Sequence, residues 1–344
     1  MKKLRVLLMV HEALIPPDDI SGLSESEIDR FRTEHNVLTA LTNLGHEVRV
    51  IGIGDRLTDL RKSIRDFEPH IVFNLLDEFS GIESYDHYVV AYLELKRQPY
   101  TGCNPRGMMI SRDKVLTKQV LASHRIATPT FRLFPFGGRF NVPRKLKFPL
   151  FVKSATEDAS LGISQASLVE DVPSLRERVE FIHEHVQSDA LVEEYIDGRE
   201  LYIGVLGNQR LTTFPVWELD FGNLSRIQAR IATRAVKWNR KYQERHAIST
   251  HAARNLSDDQ LASLARMAKR IFRALHMSGY ARMDIRLRED GQIYLLEANA
   301  NPDLTYGEDF AESAASTGVT YEQLVRRIVS IGLGYRPEWR MFEP

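Results

Sequence analysis

The sequence predicts an α/β protein of two or three lobes, with a parallel sheet at the amino end and antiparallel strands in the lobes that follow. Three observations carry that prediction. Strand and helix signals alternate over the first hundred residues. A chain of 344 residues with 43% hydrophobic side chains exceeds what one core usually organises. A hairpin pattern stands near residue 290.

Taken in order, Leu4 to Val10 is a short apolar run that reads as a buried first strand. It is too short for a signal-peptide core, and His11-Glu12 interrupt it. An amphipathic stretch from Ser24 to Leu44, closed by Gly45, precedes a strand over Glu47 to Ile53, which makes a βαβ unit. A helix around Leu57 to Phe67 then leads to Ile71-Val72-Phe73-Asn74-Leu75, a run suited to a strand buried on both faces. Ligands of such lobes sit beyond the carboxyl ends of strands, which places His11, Glu12 and Asn74 to Glu78 beside any site. The alternative is that these are ordinary polar loop residues.

Thr101 to Gly107 is loop chemistry, and a helix capped by Ser111 is expected after it. Strands over Phe148 to Lys153 and Ile163 to Glu170 flank the small, polar loop Ser154 to Gly162. That loop suits a backbone bent over phosphate, with Lys153 at its base, although most such loops are plain hairpin connections. Helices over Ser257 to Met277 and Tyr321 to Leu333 carry stripes that more often face a core than a partner.

The segment from Gly279 to Asn299 reads as a hairpin. If Asp290-Gly291 forms a two-residue turn, Glu289 pairs with Gln292, Asp284 lies opposite Glu297, and Arg282 opposite Asn299. These four then share one face, with Met283, Ile285, Leu287, Tyr294 and Leu296 on the other. Facing carboxylates repel unless something positive lies between them. Hard oxygens from Asp284, Glu297 and Asn299, with no histidine or thiolate beside them, point to Mg²⁺ completed by water and phosphate. The alternative is a charge ladder in which Arg282 and Arg286 neutralise the acids.

Forty-six basic residues balance forty-six acidic ones, which argues against nucleic acid or an anionic membrane as the main partner and for small molecules. No apolar run approaches a membrane span, and Cys103 has no partner for a disulfide, so a cytoplasmic protein is expected.

These segments, in this order, resemble the ATP-grasp fold and most closely the D-alanine–D-alanine ligases. The resemblance rests on Tyr100-Thr101-Gly102, Ser111-Arg112-Asp113-Lys114, Phe151-Val152-Lys153, Val192 to Glu200, Arg282-Met283-Asp284 and Leu295 to Asn299. It implies α+β ATP-grasp lobes behind an amino-terminal parallel-sheet domain, with boundaries at 1–108, 109–190, 191–335 and a tail over 336–344. Lys114 and Lys153 would contact nucleotide phosphate, Glu193, Glu194 and Ile196 would read the adenine edge, and Glu200 would hold the ribose. Lys237 would approach the transferred phosphate and Ser160 would keep one hydroxyl in the phosphate loop. Arg282 would stabilise an oxyanion, and Asp284, Glu297 and Asn299 would hold Mg²⁺, with Mn²⁺ as a substitute.

The activity implied is ATP-dependent joining of a carboxylate to an amine through an acyl phosphate, with the 154–162 and 230–245 segments as lids and a homodimer as the family assembly. A small-molecule kinase or a nucleotide-binding regulatory protein are the competing classes. The sequence departs from the family where substrates are chosen. His11 to Asp19 replaces a glycine- and serine-rich stretch, which leaves Glu12 as a substrate candidate. Asp158 and Ala159 replace glycine and serine, and Asp303 replaces a glycine after the proline. With Tyr306 beside them, Glu308 and Asp309 favour a cationic amine, and a D-alanine dipeptide is not the expected product.

Overall fold

The computed structural model describes residues 2–156, 163–224, 230–338 and 340. The amino-terminal sheet is parallel, in the order β2 (Glu47–Ile53), β1 (Arg5–His11), β3 (Ile71–Asn74). Its connections are helical, because Ser24 forms a capping box with Glu27 to start α1 (Glu25–Asp29). The expected single helix is broken at Arg30-Phe31 and resumes as α2 (Arg32–Asn43). Next come α3 (Leu57–Phe67), α4 (Asp86–Leu95), α5 (Pro105–Arg112) and α6 (Lys114–Ser123). Here the structure corrects a cap: Asp113 accepts from the backbone of Val115 and Leu116 to start α6, while Ser111 lies in the last turn of α5.

A four-stranded antiparallel sheet follows, ordered β4 (Phe131–Phe134), β7 (Ala190–Glu194), β5 (Leu150–Ser154), β6 (Leu168–Val169), with α7 (Val172–Phe181) against it. The strand expected over Ile163 to Glu170 is only the two residues of β6, since Gln165–Ser167 form a 3-10 turn. The larger antiparallel sheet runs β11 (Ser249–Ala252), β10 (Trp217–Asp220), β8 (Arg199–Leu206), β12 (Tyr280–Leu287), β13 (Ile293–Asn299), and β9 (Thr212–Thr213) pairs with β8. The basic 230–245 segment is helical, as α8 (Arg234–Trp238) and α9 (Arg240–His246).

The hairpin reaches the expected pairing at one end by two irregularities that cancel. Its loop has three residues, not two: Arg288 pairs with Gln292, and Gly291 sits at φ +82°, a conformation only glycine adopts freely. That slips the register by one, so Ile285 faces Leu295. A bulge at Leu296 slips it back, and Asp284 faces Glu297 while Arg282 faces Asn299. The bulge also turns Leu296 into the cleft described below, and Leu295 takes the core position beside Met283, Ile285 and Leu287.

Behind this sheet, α10 (Asp258–Ala274) buries Leu264, Ala268, Ile271 and Phe272. After α11 (Asp309–Ala315), the last helix α12 (Tyr321–Gly334) returns to the amino-terminal sheet. Its Leu324, Val325, Ile328 and Val329 pack with Val37 and Leu41 of α2 and with Val6, Leu8 and Phe73 of the strands. Its stripe therefore faces a core. Among the described residues no helix is long and apolar enough to cross a membrane.

Candidate active site

Between the two antiparallel sheets and the amino-terminal lobe lies a cleft of ≈ 810 Å³. It gathers Lys114, Lys153, Glu193, Glu194 and Ile196 from the side of the smaller sheet and the segment leading into β8, and Glu200 from β8 itself. From the larger sheet and its helices come Lys237, Arg282, Asp284, Glu297, Asn299 and Asp303. Two substrate candidates lie elsewhere: Glu12 is exposed with its carboxylate against Gly54, and Tyr306 is exposed against Tyr321. Ser160 lies outside the described residues, as does most of the phosphate loop.

At the inner end, Phe151 opposes Glu193 and Lys153 opposes Leu191, so Lys153 and Glu193 are diagonal neighbours on one face. Lys153 Nζ is 3.1 Å from Glu193 Oε2. Lys118 Nζ, one turn beyond Lys114 on α6, is 2.7 Å from Oε1. All three side chains are buried. Burial works against the Glu193 charge, but Lys118 and Lys153 outweigh it and hold the carboxyl below the usual range. Sequence reasoning missed Lys118, although its spacing of four from Lys114 puts both on one helix face. The backbone N–H of Lys114 donates to Ala155 O at 3.3 Å, tying the helix start to the base of the phosphate loop.

Glu200 is buried opposite Arg286 across β8 and β12. Arg286 Nη2 is 2.6 Å from Glu200 Oε2, and Tyr202 donates to Oε1 at 3.0 Å. Arg286 is thus committed to Glu200, which removes it from the charge ladder considered above. Arg282 keeps its place there: its fork bonds Asp284 at 2.8 and 3.0 Å. The remaining cations are looser, with Lys237 at 3.9 Å from Asp284 and Lys114 at 3.7 Å from Glu297. Asn299 Oδ1 accepts from the Asn301 backbone at 2.8 Å.

Among the described residues no three His, Cys, Asp or Glu side chains converge as a metal cluster. Two facing carboxylates and one amide, all hard oxygens, fit a magnesium ion that takes its other ligands from water and phosphate. The loose contact of Lys237 fits the same picture, since its amine can turn to a phosphate.

At the outer end, α2 contributes a carboxyl that sequence reasoning also missed. Glu34 lies on the buried stripe of Val37 and Leu41, only 6% exposed, and lines the cleft. A glutamate in phase with an apolar stripe was the available signal. Burial raises its carboxyl to about 7, and the charges of Asp77 and Asp303 add to the rise. Folded Glu34 therefore keeps a proton that the unfolded chain releases between pH 4.5 and about 7. Stability falls as pH rises through that window, and the loss is complete above it. Glu34→Gln should raise stability by ~3 kcal/mol at pH 8 and by little at pH 4.5. Equal shifts in melting temperature at the two pH values would contradict this.

A family model described as D-ala D-ala ligase C-terminus matches residues 138–330. The chain is 32% identical over 309 residues to y4sG of Sinorhizobium fredii, covering 87% of each protein. It is 28% identical over 324 residues to the D-alanine–D-alanine ligase of Carboxydothermus hydrogenoformans, covering 91% of this chain and 96% of that one. In three dimensions it resembles the D-alanine–D-alanine ligase of Bacillus anthracis complexed with ATP, with TM-score 0.73 at 20% identity, over 96% and 98% of the two chains.

Proposed function

The chain belongs to the D-alanine–D-alanine ligase family of ATP-dependent carboxylate–amine ligases, with the ATP-grasp fold. From that premise we propose that it converts a small carboxylate into an acyl phosphate and passes the acyl group to an amine. The observation that supports this best is the meeting, in one cleft, of Lys114, Lys153 and Lys237 with the Arg282, Asp284, Glu297 and Asn299 face.

ATP would lie with adenine against Ile196 and Leu296, ribose at Glu200, and phosphates toward Lys114 and Lys153. Arg286 and Tyr202 fix the Glu200 carboxylate, whose remaining lone pairs can accept ribose hydroxyls. A substrate carboxylate oxygen attacks the γ-phosphorus, the bond to the β-phosphate oxygen breaks, and ADP is formed. Lys114, Lys153 and Lys237 neutralise charge spreading over the transferred group. Asp284, Glu297 and Asn299 would hold magnesium, which when bound offsets phosphate charge and aligns the chain of phosphates. The amine lone pair then attacks the acyl carbon, the carbon–oxygen bond to phosphate breaks, and one amine proton leaves with the phosphate. Arg282 would stabilise the oxyanion of that addition.

The test is ADP and phosphate release with MgATP against amino acids, dipeptides and polyamines, singly and in pairs, with product masses. Phosphate release that requires a pair, with a product of their summed mass less water, is expected. A phosphorylated single acceptor would establish a kinase instead.

A further inference from the structure

The outer half of the cleft holds more acid than its own cations answer. Arg32 and Arg240 are engaged by Glu25 and Asp29, Arg112 by Asp86 and Glu83, and Arg282 by Asp284 and Asp309. Arg30 also lines the cleft, but it is exposed to solvent, which screens its charge. Glu34, Asp77 and Asp303 line the same cleft and, among the described residues, form no ion pair. Asp303 is held rigidly, because its Oδ1 accepts from Thr33 at 3.1 Å and from the Thr305 backbone at 2.8 Å, which leaves Oδ2 for a ligand. Glu34 is the telling group: more than nine-tenths buried, facing the cleft, with no partner from another side chain.

We propose that Glu34, Asp77 and Asp303 form a subsite for a non-reacting ammonium group carried by one of the two substrates, a reading that rests on the ligase function above. An ammonium suits the space better than a metal, since no three acids converge closely enough for metal ligation among the described residues. It is not the attacking amine. Carboxylates around an ammonium stabilise its protonated form, whereas the nucleophile must be neutral. The group is therefore either the α-ammonium of the activated carboxylate or a second ammonium on the amine substrate.

Titration calorimetry on the full chain with magnesium and a non-hydrolysable ATP analogue separates these sources. The probes are alanine of either hand against propionate for the carboxylate side, and 1,4-diaminobutane against n-butylamine for the amine side. One pair is expected to favour its ammonium-bearing member at least ~10-fold, as a charge-assisted pairing requires. The pair that discriminates names the source. Glu34→Gln and Asp303→Asn should each reduce the preference below ~3-fold, with nucleotide binding reporting the folded protein. Absence of discrimination in wild type, or its survival in both variants, overturns the subsite. Because binding is read without turnover, a kinase outcome in the product assay would remove the ligase reading and leave this result standing on its own.

Discussion

Glu297→Gln will leave the protein folded and lower turnover by ~10³ or more, because the magnesium ion that would offset phosphate charge loses one of its two carboxylate ligands. The fold should not notice. Glu297 is partly exposed, its contact with Lys114 is loose at 3.7 Å, and contacts of that kind contribute ~1 kcal/mol or less. Steady-state phosphate release beside a thermal melt decides it, with Asp284→Asn as the companion. The companion is less clean, since Asp284 also receives the fork of Arg282. A Glu297→Gln enzyme within a few-fold of wild type, at an unchanged melting temperature, would remove Glu297 from the metal site.

The opposite separation is expected at Glu193. Glu193→Gln strands two buried lysines, Lys118 and Lys153, around a neutral amide, and the loss should be ~3–5 kcal/mol of stability. ATP binding should fall with it, since the same strand end carries the adenine-facing segment. Adding Lys118→Met should recover part of the stability, because only Lys153 then lacks its partner. It should not restore nucleotide binding. A single variant that melts within 1 kcal/mol of wild type would show that the trio is solvated rather than coupled.

Much of the site was legible because it lies on regular elements. The alternation of strands and helices led to the parallel sheet, and one-sided alternation along β12 and β13 placed Arg282, Asp284, Glu297 and Asn299 together. The hairpin also shows the limit: its loop length and its bulge were both misjudged, and only their opposite signs kept the far register right. Residues whose roles depend on a non-sequential partner were harder to read. Arg286 was visible, but Glu200, which β8 brings to it, is 86 residues upstream in the chain. Glu34 sat in a stretch assigned for its apolar face, where a charge was passed over, and Lys118 in a helix expected only from its cap. The 230–245 segment looked like a loop because its basic residues mask two short helices capped by Thr233 and Asn239.

The return of α12 to the first sheet has a consequence for how the chain is made. Val37 and Leu41 of α2 cover part of the apolar face of β1 and β3 early, but the residues of α12 that complete the cover are synthesised after position 320, so that face emerges from the ribosome only partly covered. At ordinary elongation rates the interval is on the order of 10–50 s, long enough for chaperones or aggregation to compete for the apolar surface. The amino-terminal hundred residues are thus poorly suited to life as a fragment, and nascent chains stalled before α12 should be recovered bound to chaperones while full-length chains are released.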